Sequence, residues 1–312
     1  MIQLFHNPSY DFIGKRRWAY LTSIAFILIS LTSIAVKGGL RYDIDFTGGT
    51  LVQVRFDQPP SIDRIRAALG RLGLAESVIQ QFGDQREFIL RMPLTGSNQE
   101  EVARRVQGAL AAGSALGKFE IRRVEFVGPQ VGRDLQLQAI YAVLVGLAGI
   151  LLYIAIRFDL KGGVAAIVAV FHDILVCLGA ISLTNRDFSL PVLAALLTII
   201  GFSVNDTIVA YDRLRENRGK SAPRGLSFAL QMNLAINQTL SRTVLTSLTV
   251  FFSTAILLVF GGKTLEDFAF VLFVGVITGT YSTIYVAGAI VVEWTYYVEG
   301  KIRRAKKVVA KA

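Results

Sequence analysis

The sequence has very little of the chemistry that builds disulfide-stapled, metal-binding or nucleotide-binding domains. Its 312 residues contain one cysteine, Cys177, and two histidines, so no intramolecular disulfide can form. Neither residue type occurs between Lys37 and Leu135, which leaves that segment without a metal site or a nucleophile–base pair. The chain also lacks a complete G-x-x-x-x-G-K-S/T phosphate loop, so we expect no ATP site.

What the chain has in excess is apolar residues and positive charge. Hydrophobic residues make up 53% of the sequence and the mean hydropathy is +0.50, values typical of membrane proteins rather than soluble domains. The net charge of +10 does not indicate nucleic acid as a partner, because the basic residues cluster at the ends of apolar segments. The composition therefore predicts a protein that spans a membrane.

Six apolar segments are long enough to cross a bilayer as helices. They are residues 18–36, 136–156, 163–183, 190–211, 235–260 and 268–292. A cleaved signal peptide is the alternative for the first segment. The segment is longer than the apolar region of a usual signal peptide, however, and ends in Val36-Lys37-Gly38-Gly39 without a small-x-small cleavage site. We predict six retained membrane helices.

Basic residues are unevenly distributed among the connections, and this asymmetry predicts the orientation. One side carries Arg157, Lys161, Arg213, Arg215, Arg218, Lys220, Arg224, Lys301, Arg303, Arg304, Lys306, Lys307 and Lys311. The short loops on the opposite side carry only Arg186, beside Asp187, and Lys263, close to Glu266 and Asp267. We therefore predict that both termini are cytoplasmic. The N-terminal segment 1–17, a loop at 212–234 and a basic tail at 293–312 then lie in the cytoplasm, and the polar segment 37–135 lies on the far side.

The polar segment 37–135 shows alternating strand and helix patterns. Strands are predicted at 51–56, 77–82, 87–92 and 118–127, and amphipathic helices at 61–72 and 98–110, where Ser61 is a candidate N-cap and Leu72 belongs to the apolar face. The order β-α-β-β-α-β is that of a split βαβ, ferredoxin-like domain. We predict such an α+β domain between the first two membrane helices.

Asp206 lies well inside the fourth apolar segment, where a carboxylate costs several kcal/mol unless it is neutral, paired or facing water. Arg242 on the fifth segment lies at a similar depth, about 10 Å from the same end at about 1.5 Å per residue. The two side chains are therefore predicted to be able to meet. The alternative for Asp206 is a structural hydrogen bond between helices.

Other polar residues lie at membrane depth and are candidate accessory groups. On the fifth segment they recur on one helical face, which we expect to lie against protein or water, and comprise Gln238, Arg242, Thr246, Thr249 and Ser253. His172 and Asp173 form either a second titratable pair or a helix-packing hydrogen bond. Asn205 precedes Asp206, and Gly275-x-x-x-Gly279 permits close helix approach.

Three motifs together resemble the SecD/SecF family of protein-export membrane proteins, and SecF within it. They are RYDIDFTGGT at 41–50, which contains the signature Asp45, Phe46, Thr47, Gly48 and Gly49, the His172-Asp173 pair, and SVNDTIVAYDRLREN at 203–217. The resemblance spans essentially the whole chain. It implies a polytopic α-helical protein of the bacterial inner membrane, one six-helix half of an RND-type bundle with a periplasmic α+β domain.

The resemblance also implies function and partners. A SecF-like subunit would work with SecD, use the proton-motive force to assist preprotein translocation and release on the periplasmic side, and carry its proton relay at Asp206 and Arg242. The implied partners are SecD, the SecYEG channel, translocating preproteins and membrane lipids, with YajC as a further candidate and no nucleic acid. We expect no enzyme activity, no metal and no cofactor other than protons as the coupling ion.

The residues alone support a less specific interpretation, which is a six-helix membrane protein with a buried titratable pair, in the class of proton-coupled transporters. Two alternatives stay open on the same physics. One is half of an RND-type exporter for a lipid or drug. The other is a membrane scaffold in which Asp206 and Arg242 form a static salt bridge.

Overall fold

A computed structural model describes residues 5–6, 8–71, 73–75, 77–92, 99–113, 116–157, 160–220 and 226–309. Leu72, Asn98, Arg224 and Lys311, which entered the sequence predictions, lie outside these ranges. The chain divides into a membrane unit, Met1–Arg41, Ala142–Arg186 and Pro191–Ala312, and a soluble unit, Tyr42–Tyr141 and Asp187–Leu190. Each unit is described in turn.

The elements follow one another in a simple order. They are α1 Arg16–Val36, α2 Ile44–Thr47, β1 Gly49–Phe56, α3 Ile62–Gly70, β2 Val78–Gln81, β3 Glu87–Met92, α4 Gln99–Ala112, β4 Phe119–Val127, α5 Pro129–Arg157, α6 Leu160–Leu183, α7 Leu190–Lys220, α8 Phe228–Phe260, α9 Lys263–Ser282, a π-helical turn Thr283–Ala287, and α10 Gly288–Val309.

The soluble unit contains a four-stranded sheet in the order β2-β3-β1-β4, in which all three pairings are antiparallel. Together with the order β1-α3-β2-β3-α4-β4, this confirms the predicted ferredoxin-like fold. Alternation along β1 buries Val52, Val54 and Phe56 in one core with the apolar faces of α3 and α4. Ser61 caps α3 as predicted, since its hydroxyl accepts a hydrogen bond from the Arg64 N–H at 3.4 Å.

In the described part of the chain, six helices have the length and hydropathy of membrane spans, which confirms the predicted number. The spans are Arg16–Val36, Pro129–Arg157, Leu160–Leu183, Leu190–Arg218, Phe228–Phe260 and Thr264–Val298. The last of them combines α9, the π-helical turn and most of α10. Its π-turn is entirely local, because the α-helix resumes at Gly288.

Two helices extend well beyond their apolar segments. Helix α7 continues to Lys220 and α8 begins at Phe228, so most of the predicted cytoplasmic loop 212–234 is helical. The reason is that hydropathy shows which residues can lie in the membrane, whereas a helix can continue beyond them into polar sequence. An Arg213–Glu216 ion pair of 2.7 Å supports the polar end of α7, and the Ser227 hydroxyl caps the start of α8.

The N-terminal segment before α1 is held against α8, although its sequence suggested only a polar lead. Asn233 Oδ1 accepts hydrogen bonds from the backbone N–H of Phe12 at 2.8 Å and of Ile13 at 3.2 Å. Asn237 Oδ1 accepts from the Tyr10 N–H at 2.9 Å. Two asparagines one helical turn apart thus satisfy the backbone of a segment that has no helix or strand of its own.

Candidate functional site

Asp206 is buried in α7, with 3% of its surface exposed. Neither carboxylate oxygen makes a hydrogen bond or ion pair with any residue that the structure describes, and Oδ2 is fully shielded. A structural interhelical hydrogen bond, the alternative raised by the sequence, is therefore not formed in this state. An uncompensated carboxylate at membrane depth is costly, and no contact in the described part of the chain offsets that cost.

Arg242 lies on the exposed side of α8, and no ion pair of 4.0 Å or less joins it to Asp206. The two side chains are near enough for the charge of Arg242 to act electrostatically on the Asp206 carboxylate. The predicted meeting of the two groups is thus not realised as a contact here. A similar depth along two helices does not by itself produce contact, because the two helical faces must also point toward each other.

Asp173 on α6, in contrast, is fully partnered. Its Oδ2 accepts hydrogen bonds of 2.7 Å from both Ser203 on α7 and Ser282 at the end of α9. Its Oδ1 lies 3.1 Å from His172 Nδ1, and His172 Nε2 is buried without a hydrogen-bond partner in the described part of the chain. The carboxylate therefore ties three membrane helices together, which is the packing role that the sequence left open for this pair.

The π-helical turn begins directly after Ser282 and lies beside this cluster. Thr283 donates to the Ser203 carbonyl at 3.2 Å and lies 3.3 Å from the Thr207 hydroxyl. A π-turn changes the backbone pairing, and here the Ala287 carbonyl accepts a hydrogen bond from the Tyr211 hydroxyl at 3.3 Å. Such turns are frequent at functional sites. Ser203, one turn before Asp206 on α7, and Thr207, next to it, therefore both contact Thr283 of the last span.

Glycines bring the last span close to α7 at this level. A Cβ on Gly275 would lie 2.4 Å from Ile199 Cγ1, and one on Gly279 would lie 3.3 Å from Ser203 Cβ. The Gly-x-x-x-Gly pattern thus acts as predicted, by allowing close helix approach. A small cavity of about 10 Å³, the size of one water, lies next to the π-turn and is lined in part by Thr239, Thr243 and Thr283.

The remaining candidate residues have separate positions. Asn205 is exposed on α7. Gln238 is exposed on α8, where its Oε1 accepts hydrogen bonds from Arg213 at 2.6 Å and Asn217 at 2.8 Å. Thr246 donates to the Arg242 carbonyl of its own helix. These residues surround no common centre with Asp206. The predicted polar stripe on α8 is mostly exposed, and the buried polar residues of that helix are Asn237, Thr243, Ser247 and Thr254.

The signature residues Asp45 to Gly49 form α2 and the start of β1 in the soluble unit. Gly48 and Gly49 have φ of 69° and 134°, conformations that residues with a Cβ rarely adopt. A Cβ on Gly49 would also lie 2.7 Å from the Met92 carbonyl oxygen. Thr47 donates to the Asp43 carbonyl at 3.1 Å. The two glycines therefore have a backbone role, which is to let β1 start directly beside the end of β3.

Among the residues that the structure describes, no group of three or more His, Cys, Asp or Glu side chains is arranged to hold a metal ion. Sequence reasoning missed Ser282, Thr283 and the π-turn, which complete the polar layer around Asp173. The adjacent Ser282-Thr283 pair within an apolar span was the available signal. The partnership itself could not be deduced, because spacing along the chain does not say which helices are neighbours.

Comparisons with known proteins agree over nearly the whole chain. The family model described as SecD/SecF GG motif matches residues 33–60, and the model described as protein export membrane protein SecD/SecF, C-terminal, matches residues 108–296. A protein translocase subunit SecF from Calditerrivibrio nitroreducens is 42% identical over 292 residues, which cover 93% of this chain and 96% of the relative. SecF from Pseudomonas aeruginosa is 39% identical, with 90% of each chain covered.

Solved structures show the same similarity in three dimensions. The crystal structure of SecDF from Thermus thermophilus, described as translocon-associated, matches 93% of this chain with a TM-score of 0.82 and 42% identity. SecDF in the super-membrane-facing form matches 100% of it with a TM-score of 0.70 and 40% identity. This chain spans 39% and 41% of those two chains. The length, fold and motifs all agree, and the chain belongs to the SecF family of protein translocase subunits.

Proposed function

We propose that the chain works with a SecD partner and uses the proton-motive force to assist preprotein translocation and release on the periplasmic side. The observation that carries the proposal is the buried carboxylate of Asp206, which has no compensating contact in a membrane helix. A carboxylate kept in that position is suited to exchange a proton, because its neutral form removes the cost of burial. A transported proton supplies about 2.3 kcal/mol per 100 mV.

Arg242 is the second member of the proposed relay. Its charge acts on Asp206 without a direct contact, so a modest movement of α8 or of the side chain would change how strongly the carboxylate holds its proton. The hydroxyls of Thr207 and Thr283 and the water-sized cavity beside them support a hydrated route toward α8. The static salt bridge of a scaffold, one of the alternatives from the sequence, has no support in this arrangement.

A SecD partner follows from the exposed polar face of α8. Gln238, Arg242, Thr249 and Ser253 are exposed on a helix that spans the membrane, and polar residues there are unfavourable against lipid. Covering them with a second six-helix set removes that cost. The SecDF structures, in which the matched region is about two fifths of the chain, support this partner. The SecYEG channel, YajC and preproteins remain proposals from family membership, as does the absence of a cofactor.

The proposed orientation places both termini in the cytoplasm and the soluble unit in the periplasm. Arg186, one of the two basic residues in the short connections on the periplasmic side, is paired with Asp267 at 2.5 Å and Glu266 at 2.9 Å. Burial works against the charge, but the hydrogen bonds that Arg186 donates to Asp267 and Glu266 raise its pKa.

The relay is tested by preprotein translocation into inverted membrane vesicles, with ATP alone and with an added proton gradient. We expect Asp206→Asn to retain ATP-driven translocation and to lose the gradient-dependent part, because the amide keeps the shape but cannot titrate. Asp212→Asn is the matched control, since Asp212 is an exposed aspartate on the same helix, paired with Arg157 at 2.8 Å. Arg242→Met should reproduce the Asp206→Asn loss, whereas Arg213→Met should not.

Two further arms of the same experiment check the partner and the orientation. Vesicles without SecD should show no gradient-dependent part in the unaltered protein. A single cysteine introduced at Gly117 should be closed to impermeant thiol reagents from the cytoplasmic face. Full gradient-dependent stimulation of Asp206→Asn at normal abundance would show that the carboxylate is structural.

A further inference from the structure

Residues 187–190 connect two membrane helices, α6 and α7, yet they belong to the soluble unit. The connection is short and is followed without interruption by α7, which carries Asp206. Contacts within the soluble unit therefore hold the residue at which this helix begins. We call residues 187–190 the tether.

Charged contacts fix the first and last residues of the tether. Arg91 on β3 bridges Asp187 Oδ2 at 2.8 Å and Asp43 Oδ1 at 3.0 Å, and the side chains of Arg91 and Asp187 are only 14% and 7% exposed. At the other end, Asp45 Oδ2 accepts a hydrogen bond of 3.0 Å from the Leu190 N–H. That N–H is one of the groups that a helix start leaves unpaired, and a carboxylate is favourable there.

Aromatic and backbone contacts hold the middle of the tether. The Phe188 ring lies 5.8 Å from the Tyr42 ring and 5.5 Å from the Phe46 ring. The Asp43 N–H donates to the Phe188 carbonyl at 3.0 Å, and Tyr42 and Phe188 form a parallel β-bridge. These contacts come from residues 42–46 and Arg91. Apart from Arg91, the residues that hold the tether therefore belong to the first part of the RYDIDFTGGT motif.

The geometry of the two signature glycines explains why these residues converge. Gly49 lets β1 start against the Met92 carbonyl, one residue from Arg91, which places the Arg91 guanidinium beside α2. Asp43 caps α2 by accepting from the Ile44 N–H at 2.8 Å, so the same carboxylate fixes both the helix and the arginine. We call residues 42–46 together with Arg91 the clamp.

We propose that the clamp and the tether move as one body, and that this joint carries the proton cycle at Asp206 to the soluble unit. This inference rests on the proposed function. Helix α7 runs without a break from Leu190 to Asp206, a length of about 24 Å at 1.5 Å per residue. A helix is stiff along its axis, so a shift at Asp206 reaches the tether with little loss. Arg91, Phe188 and Asp45 are positioning residues in this scheme.

The first experiment breaks the clamp in the full-length protein assembled with its partner. Arg91→Ala and Phe188→Ala should lose gradient-dependent translocation in inverted vesicles and keep the ATP-driven part. Arg86→Ala is the matched control, because Arg86 lies on the same hairpin but pairs with Asp84, at 3.0 Å, and not with a tether residue. Full stimulation in both clamp variants would overturn the proposal.

The second experiment replaces the clamp by a covalent bond, which separates a lost joint from a misfolded domain. Tyr42→Cys and Phe188→Cys are combined in a Cys177→Ala background, because residues paired in a β-bridge are close enough for a disulfide. The oxidised protein should keep gradient-dependent translocation. Introduced into Arg91→Ala, the same disulfide should restore it, and reduction should abolish it again.

The disulfide results decide between a rigid joint and one that must open. Loss of stimulation on oxidation, or failure of the disulfide to restore Arg91→Ala, would overturn the proposal. Asp206→Asn is measured in the same vesicles. If Asp206→Asn keeps full stimulation, the proposed relay fails; if it loses stimulation while both clamp variants keep it, only the joint fails.

Discussion

The soluble and membrane units bury different chemistry. The core of the soluble unit consists of apolar side chains such as Phe56, Leu69 and Leu90, and Asp187 is the one carboxylate among its buried residues within the described ranges. The membrane unit buries a long series of polar side chains, which includes Ser30, Ser33, His172, Asp173, Ser203, Asp206, Thr207, Asn237, Thr243, Ser247, Ser282 and Thr283.

The contrast follows from the solvent that each unit faces. In water, burial of apolar surface drives folding, so large apolar residues accumulate inside. In lipid, apolar side chains gain little by leaving the bilayer for a protein interior, and helices associate through close packing and hydrogen bonds between them. The Ser33–Ser182 hydrogen bond of 2.8 Å and the Asp173 cluster are such contacts. Polar residues inside the membrane unit therefore include ordinary packing groups. Asp206 differs from Asp173 because its carboxylate has no hydrogen-bond partner among the described residues.

The largest effect is expected when a large apolar side chain is removed from the core of the soluble unit. Phe56 is 1% exposed and packs against the rings of Phe88 and Phe119. We expect Phe56→Ala to lower the free energy of unfolding of the soluble unit by about 3–5 kcal/mol, because a large cavity replaces the ring. Pulse proteolysis of the full-length protein in detergent measures this change. Val78→Ala, at a position that is 46% exposed on β2, should show almost none.

A smaller effect is expected when the partnered carboxylate of the membrane unit is removed. Asp173→Ala leaves the Ser203 and Ser282 hydroxyls without their acceptor, which costs about 1–3 kcal/mol. Asp173→Asn keeps one acceptor oxygen and should cost less. The rate at which the buried thiol of Cys177 reacts on heating in detergent measures local opening of α6. Equal rates in the two variants would contradict the view that Asp173 is a packing group.

The smallest expected effect concerns an exposed ion pair of the soluble unit. A side-chain hydrogen bond from Arg86 lowers the pKa of Asp84. The pair therefore adds stability above the pKa of an unfolded aspartate, about 3.9, and loses it as the pH falls through the lower folded value. Arg86→Ala should slightly increase protease sensitivity near neutral pH, and the difference from the unaltered protein should vanish in strong acid. A difference that persisted there would mean that Arg86 acts through packing.

Much of the fold could be predicted because it depends on local patterns. Alternating apolar residues specified β1 and β3, a serine specified the start of α3, and six long apolar runs specified the spans. The ends of α7 and α8 could not be read in the same way, because charged residues continue a helix as readily as they end one. For the site, the sequence identified Asp206, since a carboxylate in an apolar run is visible in one dimension.

The sequence by itself determined the number of spans and the class of the soluble domain, because these depend on residue type and local period. Only the tertiary structure decided which faces meet. It paired Asp173 with serines 30 and 109 residues away, turned Arg242 to the exposed side of α8, and placed the Asp187–Leu190 connection in the soluble unit. The physical reason is that depth is set by distance along one helix, whereas contact also depends on how neighbouring helices are rotated and packed, which no local pattern encodes.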